Sequence, residues 1–105
     1  MALFAAAQHI ERRVKIILRG VDMDALPAVQ RAIAHKLQLA AHEVKLDVRD
    51  YEYAETRAEQ MKWRRLARHN IAVFEALLIE LGDIFGPADV AELGAQLQLL
   101  QSNLE

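Results

Sequence analysis

From Ala28 to Glu80 the chain contains neither glycine nor proline. Apolar residues recur through it every three or four positions, so nothing there stops a helix outright. A single helix from Pro27 to Leu81 would be about 80 Å long. A compact domain of about 100 residues has a radius of gyration near 13 Å. Two solutions remain. The helix breaks near Val44–Tyr53, or it stays whole and associates with another chain.

The flanking segments have the same period. Leu3, Ala7, Ile10, Val14, Ile17 and Val21 are spaced 4, 3, 4, 3, 4, a heptad seam. Gly20 predicts a stop near Arg19. Asp24 is the expected N-cap of the next helix, with Pro27 in its first turn, where a missing N–H is harmless. Val29, Ile33, Leu37, Ala40, Val44, Val48 and Tyr51 carry that stripe, and Trp63, Ala67, Ile71, Phe74, Leu78, Leu81 and Phe85 the one after it. Gly86 and Pro87 mark a cap and first position. Val90, Leu93, Leu97, Leu100 and Leu104 form a second heptad seam. The expected fold is all-α, a bundle of about four helices near 3–19, 25–46, 50–81 and 88–103. Val44 to Arg49 also alternates apolar and polar, and Val14 to Leu18 is β-compatible, so a minor alternative places strands there.

At 105 residues the chain reads as one domain, 1–105, able to bury a modest core. The stripes are wide for that size, which predicts a homodimer. Its expected interface is Ile10, Val14 and Ile17 on one seam and Leu93, Leu97 and Leu100 on the other. Hydrophobic residues at 53% exclude intrinsic disorder. The absence of cysteine excludes disulfides, a thiol nucleophile and cysteine-built metal sites. The first residues lack a basic leader, and Ile71–Leu81, the most apolar run, is too short to span a bilayer and contains Glu75 and Glu80. The expectation is a cytoplasmic protein with no membrane partner.

Charge is segregated. Residues 43–60 hold six acids against Lys45, Arg49 and Arg57, residues 61–70 hold four cations and no acid, and beyond residue 70 there is no lysine or arginine. On a helix Glu43, Asp47 and Asp50 share a face, at a cost of a few tenths of a kcal/mol per like-charge pair. Two copies paired antiparallel about Thr56 would set Asp50 opposite Lys62 and Asp47 opposite Arg65, which adds Asp47 and Asp50 to the expected interface. A hairpin turning near residue 55 within one chain gives similar pairing, and a solvated charged face is the plain alternative.

The parts of an active site are missing. His35 and His42 lie two helical turns apart, and neither His-x-x-x-His nor Glu-x-x-His occurs, so no metal is expected. Asp47 and Asp50 have other acids for neighbours rather than a pocket. Ser102 and Thr56 are the single serine and threonine, and no nucleophile elbow, P-loop or dinucleotide glycine pattern exists. The chain reads as a non-enzyme without cofactors.

The strongest local feature is Met61-Lys62-Trp63-Arg64-Arg65-Leu66-Ala67-Arg68-His69-Asn70. Lys62, Arg64, Arg65 and Arg68, with Arg57 a turn earlier, are candidates for neutralising phosphates, and Asn70 for reading a base edge. Trp63 could stack on a base, but its place in the apolar stripe assigns it to the core. Arg64 to Arg68, followed by Ala76-Leu77-Leu78-Ile79-Glu80-Leu81-Gly82 and Leu93-Gly94-Ala95, resembles the layout of small TraD-type conjugal transfer proteins of plasmids. The resemblance covers less than half the chain and lacks that family's glycine, with Phe74 and Glu75 near its place. It implies a DNA-binding accessory role in plasmid transfer. The leading expectation is a non-enzymatic interaction module, adaptor-like, chaperone-like or regulatory, acting as a homodimer on a further protein partner. The alternative is a small DNA- or RNA-binding protein using residues 61–70.

Overall fold

The computed structural model describes residues 2–104, and these form five α-helices and no strand. They are α1 (Ala2–Arg19), α2 (Ala28–Tyr53), α3 (Arg57–Glu80), the single turn α4 (Gly82–Phe85) and α5 (Pro87–Ser102). The β alternative fails because Val44 and Val48 are one helical turn apart and both buried.

The long stretch does break, but later than the 44–53 window and at a defined cap. Tyr53 ends α2 and Thr56 starts α3, its Oγ1 accepting the Glu59 N–H at 3.1 Å. Before α2, Asp22 rather than Asp24 is the capping acid. Its Oδ1 accepts from the Asp24 N–H and closes a 3₁₀ turn over Met23–Ala25. Pro27 directly precedes α2, and its carbonyl accepts the Arg31 N–H. Gly86 has φ +82°, a left-handed conformation that suits glycine, and it hands the chain to Pro87 at the start of α5.

The four long helices run alternately up and down. Phe4 on α1 donates its N–H to Glu52 Oε1 on α2, while Glu11 lies beside His42 and Lys45. Asp47 on α2 meets Asn70 on α3. Arg68 on α3 donates to the Leu104 carbonyl beyond α5, and Arg13 on α1 reaches Asp89 and Glu92 on α5. The cycle α1–α2–α3–α5 encloses a core of Ile10, Val14, Leu37, Val44, Ile71, Phe74, Leu93 and Leu97. At 47 × 23 × 18 Å the molecule is one helix long and two helices across. Both heptad seams therefore close inside one chain. Ile10, Val14, Leu93, Leu97 and Leu100 are core residues, and Ile17 is half-buried against them. No described helix is long and apolar enough to cross a membrane.

Candidate interaction surfaces

Burial on the inner faces of α2 and α3 leaves their outer faces to water. On α3, Leu66, Asn70, Val73 and Leu77 follow one another at helical spacing along the side away from α1 and α5. On α2, Lys36, Leu39, Ala40 and Glu43 face the same way. Between the two rows is an open groove of about 420 Å³, lined by His35, Lys36, Leu39, Ala40, Glu43, Asn70, Val73 and Leu77. Leu39 is 63% exposed, and Leu66 and Val73 are also exposed. A leucine that open, with valine and leucine across the groove, is an apolar face that no other helix of the chain covers.

Two buried carboxylates sit beside this architecture and hold it in register. Asp47 is 6% exposed, and its Oδ2 accepts from Asn70 Nδ2 at 2.5 Å. Burial, reinforced by nearby Glu43 and Asp50, pushes its carboxyl above the ordinary range, against the opposing bond from Asn70. A raised folded value means that ionisation opposes folding, so this penalty grows as pH rises through the raised value. Asp47→Asn is expected to keep an acceptor for Asn70 and raise the melting temperature at neutral pH. The gain should vanish in acid, where Asp47 is already protonated, as thermal denaturation across pH would show. Glu11, buried on α1, is the opposite case. Lys45 Nζ donates to Oε1 at 2.8 Å, and His42 Nδ1 lies 2.8 Å from Oε2. Burial pushes this carboxyl up, but the bonds from Lys45 and His42 outweigh it and hold it below the ordinary range.

The structure separates the residues of the basic segment. Arg57, Arg64, Arg65 and Arg68 share one side of α3, turned away from the apolar groove. Met61, Arg64, Arg65 and Arg68 line a cleft of about 250 Å³. Arg57 donates to Gln60 Oε1, Arg64 approaches Met61 Sδ, and Arg68 bonds the Leu104 carbonyl. Among the described residues none of these four arginines forms an ion pair with a carboxylate. Lys62 lies elsewhere, its Nζ 4.8 Å from the Trp63 ring centroid. Trp63 is half-buried and packs on the core. Asn70 spends its amide on Asp47.

The hairpin alternative for the acidic and basic runs is the arrangement found, but its register differs. Asp47 meets Asn70 rather than Arg65, and Asp50 pairs with Arg49 of its own helix rather than with Lys62. Sequence reasoning missed Glu11, whose signal was a lone acid at an otherwise apolar register position between Ile10 and Val14. No group of three or more metal-ligating side chains gathers among the described residues. No family model, no curated protein and no solved structure matches this chain.

Proposed function

We propose that this protein is a non-catalytic helical interaction module that acts as a homodimer through the outer face of α2 and α3. The observation that carries the reading is the uncovered apolar groove with Leu39, Val73 and Leu77 along it. The side chains of the terminal seams are already buried within one chain, which favours this outer face instead. The outer face has a suitable size. Twenty-six residues of α2 span about 39 Å. Two helices side by side over that length offer on the order of 800 Å² per subunit, a standard interface.

The charges on this face select a second copy as the occupant. On α2 the exposed row carries Lys36 at one end and Asp50 at the other, seven residues either side of Glu43. On α3 the row carries Lys62 near the start and Glu80 at the end. An antiparallel twofold brings Lys36 to the partner subunit's Asp50 and Lys62 to the partner subunit's Glu80, with leucine and valine between. Glu43 falls nearest the axis and meets its own counterpart, the one like-charge contact of this register. Rim charges of this kind set register and specificity more than affinity.

Sedimentation equilibrium tests the reading. Leu39→Asp removes an apolar contact worth about 1.5 kcal/mol from each subunit, hence twice per dimer, and should weaken association about 100-fold. Lys36→Asp and Asp50→Lys should each weaken it, and the double variant should recover it, while Glu43→Gln should tighten it. A wild-type chain that stays monomeric at 100 µM overturns the proposal. A second reading, nucleic-acid binding through α3, rests on the separate face that holds Arg57, Arg64, Arg65 and Arg68.

A further inference from the structure

We infer that the arginine face of α3 binds the phosphodiester backbone of double-stranded nucleic acid without reading its sequence. Four observations carry this. Arg57, Arg64, Arg65 and Arg68 stand on one side of a single helix within three turns, and no carboxylate of the described residues neutralises them. Cations left unpaired on a chain with net charge −2 form a local positive field against an acidic background. The cleft among Met61, Arg64, Arg65 and Arg68 is large enough for a phosphate group, and three of its four lining residues are arginines. The stems of Arg64 and Arg68 are half-buried, so part of their conformational freedom is already lost before a ligand arrives.

The groups that would add base recognition are committed elsewhere. Asn70 holds Asp47, and Trp63 packs on the core under Lys62. No aromatic side chain stands among the residues lining the cleft. Single-strand binding relies on such stacking platforms, so this face favours a duplex. Guanidinium groups on phosphates give affinity and orientation but carry no sequence information.

The experiment is fluorescence anisotropy of the full chain with a labelled 20-base-pair duplex and the matching single strand, over a salt series. Four phosphate contacts predict a log–log slope of about −3.6 on duplex, or about 150-fold loss of affinity between 50 and 200 mM salt. Changing Arg64, Arg65 and Arg68 to alanine should leave a slope near −1. Because two of those stems are half-buried, the exposed Arg65→Glu is tested alone and should weaken binding with the circular dichroism unchanged. Lys62→Ala, on the other face, should leave the slope as it was, and a scrambled duplex should bind equally. Three results overturn the inference. They are no binding at 50 mM salt, tighter binding to the single strand, and complete displacement of duplex by 10 mM inorganic phosphate at constant ionic strength. The last would mark the cleft as a pocket for a free anion. Oligomeric state is read separately, so failure here leaves the dimer reading standing.

Discussion

Leu97→Asp is expected to leave the chain unfolded at 25 °C. Leu97 is 0% exposed and sits where α5 closes the cycle of helices. Truncating a buried leucine costs about 2–5 kcal/mol through lost transfer energy and a residual cavity. Aspartate adds an unpaired charge in an apolar interior, worth several kcal/mol more. Domains of this size are held by about 5–15 kcal/mol in total, so the sum consumes the lower half of that range. Leu99, two residues away and 67% exposed, is the control, and Leu99→Asp should change stability by less than about 0.5 kcal/mol. Far-ultraviolet circular dichroism and urea titration distinguish the pair. A folded, cooperative Leu97→Asp chain would mean that the second heptad seam does not close inside the chain.

That seam shows what periodicity can and cannot say. The spacing of Leu93, Leu97 and Leu100, like that of Ile10 and Val14, identified buried residues without identifying what buries them. A 4-3 repeat is the same whether the covering helix belongs to the same chain or to another one. The break between α2 and α3 matches the hairpin turn expected near residue 55, and a local signal for it was legible in the sequence. Thr56-Arg57-Ala58-Glu59 has the sequence of a capping box, and its threonine does cap the Glu59 N–H. The alternation of Val44 to Arg49 drew attention to the wrong place. Asp47, buried at the edge of the α2–α3 contact beside Asn70, puts an acid between Val44 and Val48 and makes helix resemble strand.

The register of α2 against α3 was not legible, because it depends on how the buried apolar faces of the two helices interlock, with the Asp47–Asn70 bond between them. Nothing local in Asp47 or Asn70 announces the other across twenty-three positions. Burial of Ala67, Ile71, Phe74 and Leu78 fixes which way α3 faces, and so the acidic run does not meet the basic one. With that face inward, Arg65 is carried around the helix to the arginine face, and the outer face keeps Leu66 and Val73 for the groove. The basic segment, one motif in the sequence, becomes two surfaces because successive residues on a helix point about 100° apart. Arg64, Arg65 and Arg68 fall on one side, Lys62 and Leu66 on the other.

Glu11→Ala should cost about 3 kcal/mol, the second largest effect expected. Glu11 is buried between α1 and α2, with Lys45 largely enclosed and His42 half-exposed beside it. Removing the carboxylate leaves the Lys45 ammonium poorly solvated and without its anion, the situation in which breaking a buried pair costs about 3–5 kcal/mol. The exposure of His42 places this case at the lower end. Replacing both partners, as Glu11→Leu with Lys45→Met, should cost much less, since two apolar side chains need no counter-charge. The pH dependence has a definite sign. The Glu11 carboxyl is held below its ordinary range in the folded state. Its contribution is therefore complete above that range and is lost as pH falls through the lowered value. Urea midpoints of the wild-type and Glu11→Ala chains should consequently converge in acid and stand furthest apart near neutrality. Equal separation at every pH would mean that Glu11 acts through packing of its stem and not through its charge.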